Sequence, residues 1–103
     1  MNPPYARREI DRWMSKAYSE SREPDTIVVA LVNARTDCGW WHRWAMRARE
    51  LRFLRGRLRF LDSAGRVGTN APSPSVVVVF DQHSDGPPQI RSMLRAGASW
   101  RTV

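Results

Sequence analysis

Two apolar runs constrain this chain more than anything else in it. Residues 26–32 read TIVVALV and residues 75–80 read SVVVVF. Side chains branched at Cβ are stiff at χ1 and pack well on a pleated surface, so both runs favour extended backbone. Neither alternates with polar residues, which is the pattern of a strand covered on both faces. For the first run, a parallel strand of an α/β sheet fits better than a half-exposed edge. The chain has 103 residues, at most one small domain, close to the size at which a single core becomes self-sufficient. Its sheet must be organised around these two strands.

The segments between them supply the rest of the expected fold. Residues 6–21 carry Ile10, Trp13, Met14, Ala17 and Tyr18 at i, i+3, i+4, i+7 and i+8, one apolar stripe of an amphipathic helix. Pro24 ends it, because the residue before proline is pushed out of helical geometry. A polar loop, NARTD, follows the first strand. A second helix is expected from residue 39 or 40 to residue 49, with Trp40, Trp41, Trp44, Ala45 and Ala48 as its apolar side and Asp37 as its N-cap. ELRFLRGRLRF reads as two short strands, Leu51 and Phe53 then Leu58 and Phe60, turning at Arg55-Gly56-Arg57. Residues 62–74, rich in Gly, Ser, Asn and Pro, read as a loop. The order divides into a domain over residues 1–82 and a polar tail over 83–103, with one short helix near residues 90–95. Few strands leave a sheet edge that these elements do not cover, so the α/β sheet reads as incomplete.

Charge narrows the partner. Seventeen basic residues against ten acidic give +7, and all but Lys16 are arginines. Guanidinium forks match phosphates and base edges bidentately, so a polyanion is favoured over a solvated surface alone. No apolar run is long enough to cross a bilayer, and no signal peptide is evident. The single cysteine, Cys38, excludes an internal disulfide and fits a reducing cytoplasm. His42 has no second metal-type ligand near it and reads as a surface histidine.

The chain opens on MNPPY. Each proline fixes its own φ and removes a backbone N–H, leaving carbonyl acceptors. Asn2 adds an amide oxygen and Tyr5 an aromatic face. Two fixed acceptors beside a stacking platform suit a planar ring with an exocyclic amino group, such as adenine. One acceptor per N–H favours the tetrahedral nitrogen that frees the lone pair, and stabilises the charge that grows as a methyl group arrives. Tyr5 would hold the base once it leaves the duplex. Against this stands an ordinary polyproline turn.

The wider sequence carries a resemblance. NPPY, an amphipathic helix, VVALVNARTD-x-x-WWH, ELRFLRGRLRF and APSPSVVVVF, in one uninterrupted order from residue 2 to about residue 80, resemble the Dam-type phage N6-adenine DNA methyltransferases. The resemblance implies that Asn2, Pro3, Pro4 and Tyr5 are the catalytic motif. Asn2 and the Pro3 carbonyl would contact the amino group, and Tyr5 would stack on the ring. It also implies S-adenosylmethionine as donor, double-stranded DNA as substrate, and a Rossmann-like sheet in a bacterial or phage-infected cytoplasm. Arg35, in the ARTD segment, is expected on the substrate side, the alternative being an ion pair with Asp37. Arg55, Arg57 and Arg59 are expected on DNA phosphates, the alternative being a solvated strand face. Trp40, Trp41 and Trp44 read as core rather than as stacking platforms.

The chain departs from the family ahead of the motif, where members carry the strands and acidic loop that hold the donor. No glycine-rich strand–loop–helix occurs in this sequence. It therefore looks like the C-terminal portion of such an enzyme: a truncated reading frame, a prophage remnant or one half of a split protein completed by a partner chain. The competing reading is a small basic DNA-binding protein.

Overall fold

The computed structural model describes residues 7–61, 64–65, 67–70 and 73–94. The first helix, α1, spans Arg7–Glu20. Its buried line is Ile10, Met14, Ala17 and Ser21, each at most 1% exposed. Tyr18 packs at the margin of the core. Trp13, expected in the stripe, is instead exposed. At 100° per residue it falls roughly 70° from the centre of the buried line, on the side turned from the sheet. The Ser21 hydroxyl is satisfied in the interior by donating to the Tyr18 carbonyl at 2.6 Å, as a buried polar group must be.

After the break at Pro24 comes β1, Val28–Asn33. The chain then forms the short helix α2, Gly39–Arg43, and a 3₁₀ turn, Ala45–Arg47. The second helix is thus much shorter than expected. Trp40 and Trp41 are buried within it, and Ala45 and Ala48 are buried beyond it. Its N-cap is Cys38, in extended geometry and without a side-chain cap bond, so Asp37 does not cap it.

Five further strands build the main sheet and a ribbon. They are β2 (Glu50–Arg55), β3 (Arg59–Leu61), β4 (Val67–Asn70) and β5 (Ser75–Phe80), followed by β6 (Gln89–Leu94). The main sheet has the order β1-β5-β2-β6, and β3 pairs only with β4. β5 runs antiparallel to both of its neighbours, with Ala30 opposite Val78 and Leu51 opposite Val78. β2 and β6 are parallel, with Arg52 opposite Arg91.

Three expectations change here. β1 is not a parallel strand buried on both faces. It lies at the margin of the described sheet, antiparallel to β5, with Val29 exposed on its outer face. The expected hairpin of β2 with β3 does not form. Gly56, at φ 83°, does turn the chain, but it sends β3 to pair with β4 in what had read as a loop. Residues 89–94 are a strand, not a helix, because a parallel ladder along β2 satisfies their backbone groups.

The core fills both faces of this sheet. On one, α1 and α2 cover Ala30, Val32, Leu51, Val76, Val78 and Phe80, together with Ile10, Met14, Trp40 and Trp41. On the other, Leu54, Leu58 and Val77 pack with Leu31, Val79 and Met93. β5 therefore has buried side chains on both faces, as its all-apolar sequence demands.

The β5–β6 connection is fixed by a polar knot. The Asp81 carboxylate accepts from the His83 N–H at 2.9 Å and from the Ser84 hydroxyl at 3.2 Å, and pairs with Arg49 Nη1 at 3.2 Å. Arg22, at the end of α1, donates to the Asp81 carbonyl at 2.8 Å and to the Ser84 carbonyl. Burial pushes the Asp81 pKa up. The His83 N–H, the Arg49 charge, the Ser84 hydroxyl and His83 outweigh it, and the net shift is below the ordinary 3.8. Gly86 sits at φ 64°, and a Cβ there would collide with the Met46 carbonyl oxygen.

Two measurements check this connection. Gly86→Ala should lower the unfolding free energy by at least about 2 kcal/mol in urea titration, since left-handed backbone alone costs an L-residue roughly 1–2 kcal/mol and the backbone contact adds to it. The depressed Asp81 pKa contributes stability that is full above the unfolded value and is lost as pH falls through the folded one. Wild-type stability should thus drop more steeply below about pH 4 than that of Asp81→Asn, and superimposable pH profiles would contradict this.

Candidate nucleic-acid interface

β1 and β2 point the same way although β5 separates them. Their C-terminal ends, Asn33 and Arg55, therefore reach one end of the sheet, where Asn33 lies opposite Ser75 and Arg55 opposite Leu94. Open α/β sheets place ligands outside the C-terminal ends of their parallel strands, where loops converge and side chains are free of ladder constraints. Three of the four arginines named from the sequence lie at this end.

Arg35 is carried by a loop pinned on both sides. The Ala34 N–H donates to the Pro74 carbonyl and the Arg35 N–H to the Asn33 carbonyl, both at 2.8 Å. The Cys38 N–H closes the turn on the Arg35 carbonyl at 3.1 Å. His42 Nε2 then donates to the Thr36 carbonyl at 2.7 Å, which fixes that tautomer and uses the exposed histidine as a brace. Arg35, Thr36 and Asp37 are all exposed. Among the described residues Arg35 and Asp37 form no ion pair, so the structural alternative for Arg35 finds no support in their geometry.

Arg55 ends β2 and Arg57 follows the Gly56 turn, and both are exposed. The next residue, Leu58, is buried against Leu54 and Val77, which holds the turn against the second face of the sheet. Arg59 opens β3, its Cα opposite Asn70, and so belongs to the ribbon rather than to the sheet end. Asn2, Pro3, Pro4 and Tyr5 lie outside the described residues. Guanidinium groups can fork onto the oxygens of a polyanion.

Trp40 and Trp41 are core, as their spacing indicates, and Trp44 packs half-buried against that core. Trp40 and Trp41 are 4% and 3% exposed and meet edge-on at 5.9 Å. The half-buried Trp44 donates from Nε1 to Asp11 at 2.7 Å, and the same oxygen takes Arg43 Nε at 3.1 Å. Arg22 and Arg47 stand 4.4 Å and 5.4 Å from the Tyr18 ring centre. That stacked group lies at the opposite end of the sheet, where Tyr18 also donates to Asp85 at 3.3 Å.

Sequence reasoning missed a cluster on the second face. Glu50 Oε1 accepts from Arg52 Nε at 2.6 Å and from Arg91 Nε at 2.9 Å. The Glu50–Arg52 half was detectable, because residues two apart on a strand share a face. Arg91 was not, since its segment read as tail.

Among the described residues no cluster of His, Cys, Asp and Glu could hold a metal ion. A concavity of about 300 Å³ is lined by Asp25, Thr26, Ile27, Asp81, Gln82 and His83, at the start of β1 and away from the arginine end. No helix among the described residues is long and apolar enough to cross a membrane.

Comparison with known proteins gives one result. The family model described as DNA N-6-adenine-methyltransferase (Dam) matches residues 1–99. No curated protein and no solved structure matches the chain. A match over nearly the whole sequence makes the chain a member of the DNA N-6-adenine-methyltransferase (Dam) family.

Proposed function

We propose that this chain handles the target base in site-specific methylation of adenine N6 in double-stranded DNA, with S-adenosylmethionine as methyl donor. The observation that carries the reading is the family match over residues 1–99, which includes the NPPY segment. The sheet supports it. Two parallel strands end together, and the loops beyond them present Arg35, Arg55 and Arg57 on one side of the molecule. On a Rossmann-like reading of the sheet, this would be its ligand end.

Helix α1 begins toward that end. Its last turn reaches the Asp81 loop through Arg22, beside the start of β1. Fourteen residues make a rod of about 21 Å, close to the length of β1, so Arg7 lies toward the end where Asn33 finishes the strand. Tyr5 stands two residues before Arg7. Asn2 and the Pro3 carbonyl would each accept one N–H of the adenine amine. Removing the competing delocalisation leaves the nitrogen lone pair available and stabilises its developing positive charge. Tyr5 would stack on the flipped base, offsetting the few kcal/mol spent in unstacking it. The arginines would meet flanking phosphates and hold the duplex in register.

The described residues do not assemble a site for the donor. The strand-to-helix turn after β1 carries NARTD, with no glycine before Gly39 and no acidic side chain in a buried position. S-adenosylmethionine would supply the electrophilic methyl group. No step of the base-handling chemistry is assigned to a donor pocket in this segment.

A duplex carrying 2-aminopurine in place of adenine tests the reading without the donor. Binding of the wild-type chain should raise the emission of the base several-fold as it leaves the stack. Tyr5→Ala should abolish most of that rise; Asn2→Ala should leave it, since 2-aminopurine has no 6-amino group, and should weaken capture of an adenine target by up to roughly tenfold, the scale of one lost hydrogen bond. Binding with no emission change for the wild type would overturn the base-capture role.

A further inference from the structure

The second face of the sheet carries a cationic pair built differently from an ordinary surface ion pair. Arg52 and Arg91 are opposite one another on parallel strands β2 and β6, and both direct Nε at the same oxygen of Glu50, at 2.6 and 2.9 Å. Glu50 is only 14% exposed, whereas the two arginines are 45% and 59% exposed. The carboxylate therefore lies beneath two guanidinium groups that cover it. Arg91 Nη2 is further steadied by Gln89 at 3.2 Å.

One arginine would neutralise Glu50. A second on the same oxygen brings two like charges together, and an exposed pair gains little that could offset this. The arrangement is stabilised when an anion sits over both cations. Using Nε inward leaves the Nη amines of Arg52 and Nη1 of Arg91 with no hydrogen bond among the described residues. These amines can fork onto the two free oxygens of a phosphodiester. Both arginines stand on paired strands of the main sheet, so their positions are set in advance.

We propose that Arg52 and Arg91, oriented by Glu50, form a binding site for one backbone phosphate of duplex DNA. The site extends the arginine end of the sheet onto its second face. Arg52 lies three residues before Arg55, about 10 Å along the strand, or roughly three base-pair rises of duplex. A duplex held at Arg35, Arg55 and Arg57 would have its backbone continue over this pair. The inference rests on the DNA reading above, and it adds contacts that carry no sequence information.

Fluorescence anisotropy of a labelled 24-base-pair duplex, titrated with wild-type chain across a salt series, tests it. Neutralising one phosphate contributes about 0.9 to the slope of log affinity against log salt. The double variant R52Q/R91Q should therefore lose close to 0.9 of slope and weaken equally on unrelated sequences. E50Q, which uncovers the second charge, should bind at least twofold tighter at low salt while unfolding at a lower temperature. R52K/R91K, which keeps both charges, should keep the wild-type slope and so serves as a folded control. A wild-type slope in R52Q/R91Q, with only its melting temperature lowered, would make the cluster a structural bracket and overturn the proposal. Failure of the wild-type chain to bind duplex at any salt would instead overturn the DNA reading itself, and this site with it.

Discussion

Strand β5 holds the molecule together. Its antiparallel ladders to β1 and β2 are the only described links between those strands, and its side chains feed both halves of the core. Val76, Val78 and Phe80 face the helices, while Val77 joins Leu54 and Leu58 on the other side. At about 25 cal/mol per Å² of apolar surface removed from water, a strand buried on both faces contributes to both halves of the core at once. Its reversed direction also has a geometric result. It lets β1 and β2 run parallel without touching, so their ends and following loops open on the same side.

That shared end is where the proposed site gathers. Arg35 reaches it because the backbone after Asn33 is tied to Pro74, just ahead of β5. Arg55 and Arg57 reach it because Gly56 accepts a left-handed turn that a side chain would resist. The opposite end is spent on structure: Asp81, Ser84, Arg22 and Arg49 satisfy one another there, and Arg22 and Arg47 lie against Tyr18. The basic surface is thus not uniform. Some arginines are held by carbonyls, carboxylates and rings, while Arg35 and Arg55 stand exposed at the strand ends.

Much of the architecture was legible because burial writes itself into composition. The two valine-rich runs are strands, the 3–4 spacing around Met14 is a helix, and the tryptophan cluster is core. Pairing was less legible. An apolar run states that both faces are covered but not by which neighbour, so β1 read as a parallel interior strand when it is a marginal antiparallel one. The turn at Gly56 was correctly located, yet a turn fixes where the chain bends and not which strand it meets next. β6 was missed because Gln89, Arg91 and Ser92 are polar and weak in strand preference. Its place comes from the ladder offered by β2, a tertiary effect that overrides local preference. For the site, arginines next to breaks in apolar pattern could be picked out from sequence, whereas the Glu50–Arg91 contact joins distant segments and needs the fold.

On the proposed function the two ends of the sheet carry opposite roles, one for a nucleic-acid partner and one for structure. Hydrogen–deuterium exchange of the chain with and without a saturating duplex DNA reads this directly. The account predicts slowed exchange in peptides covering residues 33–37 and 52–57, with residues 22–27 and 81–86 unchanged. Protection confined to the latter two segments, with the arginine end untouched, would contradict it.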